Sequence, residues 1–239
     1  MAGIVGAFSY AGLTDSRLLA LLPAQAMLVM LVVPAIFMFT KSQENKLSSI
    51  SLSSIDVTDG RKALYQRLFI VKNLLRYMVP LFLTYFAEYL INQGLLELTV
   101  FDCEHGFDIS PASQYRWYQV LYQVGVFISR SSIKLVQLNM PLIALMPVLQ
   151  LTNTVFFMVN AIYAFIPSFG IVCIIVLYEG LIGGGSYVNT FHHIHKKVDP
   201  SVREFALSTV SLADSVGILL AALVSIPVHN IICAMQWNR

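Results

Sequence analysis

The chain carries repeated runs of some twenty predominantly apolar residues, and no other feature limits its fold as much. A bilayer's hydrocarbon core is about 30 Å thick and takes about 20 residues of helix to cross. Residues 18–39 form one such run, interrupted only by Gln25 and two prolines. Residues 77–98 form a second that holds Glu88, Asn92 and Gln93. Residues 115–129 are shorter and more polar, so tilt or neighbouring helices must accommodate them. Runs at 140–163, 165–191 and 202–229 follow, the fifth containing Gly180-Leu-Ile-Gly-Gly-Gly185. The fold class predicted is all-α: a polytopic membrane helix bundle of six spans.

Composition agrees. Of 239 residues, 57% are apolar and only 12% charged, and the mean hydropathy is +0.71. Soluble domains carry about 25% charged residues, so a soluble enzyme is not the expected class. The net charge of +2, with few Lys and Arg, also excludes a nucleic-acid partner. Cys103, Cys173 and Cys233 are too widely spaced for a disulfide framework or a thiolate metal site.

Orientation follows from the positive charges. Lys41, Lys46, Arg61, Lys62, Arg67, Lys72, Arg76, Arg130, Lys134, Lys196, Lys197 and Arg203 fall on one side of the predicted spans. Only Arg17, Arg116 and Arg239 fall on the other. The predicted organisation is therefore a lumenal stub at 1–17, a membrane helix at 18–39, a cytosolic loop at 40–76, a five-helix membrane bundle at 77–230 and a lumenal tail at 231–239. Residues 1–13 are apolar but too short to span. They carry no basic n-region or cleavage signature and so read as the end of an earlier helix.

Ionisable groups inside spans are costly, and they persist mainly where they face a partner or a wet cavity. Glu88 shares one helical face with Tyr85 and Asn92. Glu179, Gly183, Ser186, Asn189 and Thr190 form a polar stripe ending at His192 and His193, and Ser208, Ser211, Asp214 and Gly217 repeat the pattern. One acid on each of three helices suggests a shared aqueous pathway with proton-titratable carboxylates. The same stripes also serve as interhelical glue, and Gly180-x-x-x-Gly184 suits close packing as well as a flexible break.

Other motifs carry less. His192, His193 and His195 adjoin Lys196 and Lys197, which would repel a metal cation, so no metal is predicted. No phosphate-binding loop is present, and no cofactor is predicted. Tyr65-Gln66-Arg67-Leu68 fits a loose tyrosine-based sorting pattern. Tyr115-Arg-Trp-Tyr118 reads as an interfacial aromatic anchor.

Several long words are distinctive: Tyr85-Phe-Ala-Glu-Tyr-Leu-Ile-Asn-Gln-Gly94, Gln114-Tyr-Arg-Trp-Tyr-Gln-Val-Leu-Tyr-Gln-Val-Gly125, Ser129-Arg-Ser-Ser132, Leu177-Tyr-Glu-Gly180, Tyr187-Val-Asn-Thr-Phe-His192, Arg203-Glu-Phe-Ala206 and Ser211-Leu-Ala-Asp-Ser-Val-Gly217. In these words the chain resembles the battenin family, which is related to major facilitator transporters, over residues from about 6 to 233. The resemblance implies a multi-pass protein of lysosomal, late-endosomal or vacuolar membranes. It implies a bundle like the C-terminal half of a major facilitator transporter, in a short form lacking the N-terminal half. Two departures accompany it: no acidic dileucine signal stands in residues 41–76, and Cys233-Ala-Met-Gln236 is not terminal, so it cannot be prenylated.

The function expected from the resemblance is efflux of small lysosomal solutes, glycerophosphodiesters or basic amino acids, with a role in lysosomal pH homeostasis. The alternative is a non-transporting membrane scaffold in lysosomal trafficking and autophagy that acts through the loop at 40–76. Glu88, Asn92, Glu179, Asn189 and Asp214 are the candidate substrate and proton pathway, with Arg130 as a candidate cation for a phosphodiester. The expected partners are membrane lipid, a small solute and protons, together with a second copy or a full-length relative to complete the cavity.

Overall fold

The computed structural model describes the backbone of residues 60–237 except 103, and the side chains of residues 68–235. The expected stub and span at 1–39 and most of the expected loop lie outside the described residues. The chain divides into two compact units, Met1–Phe69 and Ile70–Arg239, and of the first only the helical residues 60–69 are described.

Five long helices follow one another, with no strand among the described residues: α1 (Gly60–Leu90), α2 (Pro111–Ser131), α3 (Met140–Tyr163), α4 (Phe169–Lys197) and α5 (Arg203–Trp237). α1 begins at Gly60, inside the segment read as loop from the sequence, so the Tyr65–Leu68 sorting pattern falls within a helix. Four helical stretches are long and apolar enough to cross a membrane: Leu68–Leu98, Met140–Tyr163, Phe169–Lys197 and Pro200–Met235. The predicted span at 115–129 is helical, as α2, but does not reach that apolarity. Gln114, Arg116, Gln119, Gln123 and Arg130 interrupt the apolar run of α2.

Local chemistry sets the helix ends. α2 and α3 open with proline in their first turn, where its missing N–H costs nothing. α3 ends at Ala164 in the left-handed region (φ 49°). There Asn160, buried at the helix end, accepts the Ala164 amide on its carbonyl at 2.7 Å and the Ile166 amide on its side chain at 3.0 Å. α4 closes on His195, Lys196 and Lys197, cations that suit the negative end of the helix dipole.

The 99–110 loop between α1 and α2 is held from inside. Gln114, fully buried, donates to the carbonyls of Phe101 (2.9 Å) and Ile109 (3.0 Å) and accepts the Phe101 amide at 2.9 Å. On the loop's exposed side, Asp102 accepts from the His105 backbone (2.9 Å) and ring (2.7 Å). Those bonds hold the Asp102 carboxyl below its ordinary range and the His105 imidazole above its own.

Glycines let the helices approach. A Cβ at Gly180 would strike the Tyr122 carbonyl of α2, one at Gly125 the Leu177 carbonyl of α4, and one at Gly184 the Ser129 hydroxyl. α4 is continuous from Phe169 to Lys197, so Gly180-x-x-x-Gly184 is a packing surface and not a break. Gly217 brings α5 against the Phe82 carbonyl of α1 in the same way. Outward, α3 and α5 present exposed apolar rows, among them Leu145, Val148 and Val155, and Leu212, Leu219 and Leu223. Such faces are ordinary only where lipid or further helices cover them.

Candidate functional site

α1 changes winding where its polar residues lie. Pro80 removes one backbone donor, and after Leu90 the chain takes a π-helical turn, Ile91–Leu95. Single π turns inside α-helices concentrate at functional sites. Here the wide turn carries Asn92, whose side-chain amide donates to the Glu88 carbonyl (3.0 Å) and to the Glu179 carboxylate on α4 (3.0 Å). One amide therefore links the two acids' helices.

Glu88 and Glu179 are both fully buried. One oxygen of Glu88 accepts the Tyr122 hydroxyl of α2 in a short hydrogen bond. Gly183 of α4 leaves the space the Glu88 carboxylate occupies, since any Cβ there would overlap it. The second oxygen of each acid has no hydrogen-bond partner among the described residues. α2 completes the frame: Gln119 donates to the Asn92 side-chain oxygen at 3.1 Å and Tyr115 to the Asn92 carbonyl at 3.0 Å. Two acids, one amide and three donors from a neighbouring helix make a closed polar chain inside the bundle. Such a chain can hold a proton or a polar ligand atom at the free oxygens.

The remaining predicted residues make no hydrogen bond to this polar chain among the described residues. Arg130 donates to the Tyr85 hydroxyl at 2.9 Å and lies over the Tyr187 ring, 4.4 Å from its centre. No carboxylate among the described residues is within ion-pair distance of it. Asp214 is buried and turned to its own helix, accepting from the Ser215 amide at 3.0 Å and from Ser211. It faces Tyr85, Tyr89, Tyr187 and Arg130 electrostatically but shares no hydrogen bond with Glu88 or Glu179 among the described residues. Asn189 is committed elsewhere: it accepts the Leu138 amide at 2.7 Å and donates to the Gly185 carbonyl at 2.9 Å, tying the α2–α3 connection to α4.

Sequence reasoning missed Tyr122, Gln119 and Tyr115. Of Tyr115-Arg-Trp-Tyr118, read from the sequence as an interfacial anchor, Trp117 is exposed. Tyr115 points to Asn92, and Tyr118 is fully buried with its hydroxyl toward the Thr99 carbonyl. It also missed a polar row on α3. Gln150 and Thr154 lie one turn apart with Asn153 between them, all buried, and Thr154 reaches the Ala87 carbonyl of α1. Both amide atoms of Gln150 lack a partner among the described residues. Polar residues at helical spacing on so apolar a helix were a legible signal.

Together the fold and site define a multi-pass α-helical membrane protein with an interior polar chain. The chain matches the CLN3 protein family over residues 39–235, and it belongs to that family. It is similar to battenin of the dog, Canis lupus familiaris, with 38% identity over 256 residues, covering 98% of this chain and 57% of battenin. It is similar to protein BTN1 of Kluyveromyces lactis, 38% identical over 252 residues, covering 98% of this chain and 63% of that protein. Protein BTN1 of Yarrowia lipolytica is 44% identical over 166 residues, 68% of this chain and 40% of the relative. The chain thus spans between two fifths and two thirds of the length of these relatives. No solved structure matches it.

Proposed function

We propose that the chain is part of a secondary transporter of lysosomal or vacuolar membranes, in which Glu88 and Glu179 take up and release protons as a small solute crosses. The observation that carries this reading is the Asn92 amide, which joins the Glu179 carboxylate to the Glu88 turn of α1 inside the bundle. Burying two acids in hydrocarbon is costly. Glue between helices needs only one polar contact, whereas each acid here keeps an oxygen without a partner among the described residues. The π turn adds a helix segment able to rewind when the pair changes charge.

In this reading α2 crosses the membrane despite its polarity, because α1 and α4 cover its polar face. With residues 18–39 it makes six spans arranged as in one half of a major facilitator bundle. Arg130 and Asp214 offer opposite charges to a solute that carries both signs, either a glycerophosphodiester with a cationic headgroup or a basic amino acid. Asn189 holds the α2–α3 connection, which follows Arg130 along the chain. Solute flux into proteoliposomes under an imposed pH gradient tests the assignment. Glu88→Gln, which keeps shape and loses the titrating group, is expected to abolish the pH-dependent component at unchanged folded yield; undiminished flux rejects the role.

A further inference from the structure

At the Lys/Arg-rich end of the bundle, α1, the last residue of α4 and the connection to α5 line a half-open cavity of about 420 Å³. It shares no lining residue with the Glu88–Asn92–Glu179 chain. Lys72 and Arg76 from α1 and Lys197 from α4 line it, and all three are exposed. No carboxylate among the described residues pairs with any of them. Asp199, in the adjoining connection, accepts the Ser201 amide (2.9 Å) and hydroxyl (2.7 Å) on one carboxylate oxygen and lies within electrostatic reach of Arg203. Three cations with no ion-pair partner among the described residues in one concavity create a local positive potential.

A further observation points to a ligand. Tyr77, only 1% exposed, lines the same cavity, and its hydroxyl is buried with no hydrogen-bond partner among the described residues. The Arg76 guanidinium lies over the Tyr77 ring at 4.9 Å. An unpartnered hydroxyl beside cations that no described carboxylate pairs with calls for an anion rich in acceptor oxygens. The volume lies within the usual range of small-ligand sites, about 300–1,000 Å³. Ile70 and Val202 make part of the wall apolar. The cavity sits at the ends of the membrane-crossing stretches Leu68–Leu98, Phe169–Lys197 and Pro200–Met235, where basic pockets between helices meet headgroups.

We propose that this cavity binds a phosphomonoester dianion, carried either by a membrane lipid headgroup or by a soluble phosphate ester. The test uses the full chain in phosphatidylcholine nanodiscs, with fluorescent short-chain phosphatidic acid as probe, phosphatidylglycerol as the diester control and inorganic phosphate as competitor. Phosphatidic acid is expected to bind about ten-fold tighter than phosphatidylglycerol. Neutralising Lys72, Arg76 or Lys197 to Gln is expected to weaken binding about five-fold each. Tyr77→Phe removes only the orphaned hydroxyl, so it leaves the fold intact, and it is expected to cost about ten-fold. Competition by inorganic phosphate assigns the site to soluble esters; its failure while phosphatidic acid binds assigns it to lipid. Equal binding of the two lipids, or wild-type affinity in Tyr77→Phe and in the folded Gln variants, overturns the proposal.

Discussion

Helices α2 and α5 meet α1 on opposite terms. Most of α5 lies in one of the stretches long and apolar enough to span a membrane, and α2 lies in none. Yet α2 supplies Tyr115, Gln119, Tyr122 and Arg130, four side chains that each hydrogen-bond to a residue of α1 or its π turn. α5 contributes one acid, Asp214, whose hydrogen bonds stay on its own helix. A helix can afford polarity in a membrane when protein covers it, because its donors then meet acceptors and not hydrocarbon. Apolarity thus marks contact with lipid, and the most polar helix of the bundle is the one that frames the acids.

The sharpest way to break this contrast is flux. Removing an acid framed by α2 (Glu88→Gln or Glu179→Gln) is expected to abolish pH-dependent transport in proteoliposomes, whereas Asp214→Asn reduces it only several-fold. Equal losses would erase the distinction between the two helices. Stability comes next. Gly180→Val sets a branched side chain against the Tyr122 backbone and is expected to cost about 3 kcal/mol in detergent unfolding, at the upper end for overpacking. Gly185, with nothing within 4 Å of a Cβ, gains up to about 1 kcal/mol as Ala. Asn92→Ala strips the donor from Glu179 and leaves the Gln119 amide unpaired, and so is expected to destabilise by about 2 kcal/mol. Asp214→Ala, with partners only on its own helix, costs less in the same assay.

The smallest effect lies in the 99–110 loop. His105 is held above its ordinary 6.5, so its contribution is complete below about pH 6.5 and fades as pH rises through the raised value. Asp102 is held below its ordinary 3.8, so its contribution is complete above 3.8 and fades as pH falls through the lowered value. Protection of the Gly106 and Phe169 amides, which donate to the Asp102 and His105 carbonyls, should therefore be greatest between those limits. Hydrogen exchange measured across that window and above it checks this, and His105→Asn should flatten the upper limb.

The sequence by itself determined the helical class, the polar stripes and the burial of their acids. Runs of apolar residues interrupted at helical spacing have one low-energy solution in lipid, and a carboxylate on such a run must turn inward. Glu88, Asn92, Glu179 and Asp214 were legible for that reason. Which acids meet was decided only by the tertiary structure. Gly125, Gly180 and Gly184 bring α2 against α4, Gly183 admits the Glu88 carboxylate, and the π turn aims Asn92 at Glu179 while Asn189 turns to the α2–α3 connection. Those pairings depend on contacts between residues as much as 87 positions apart, and periodicity along one helix carries no information about the face its neighbour presents.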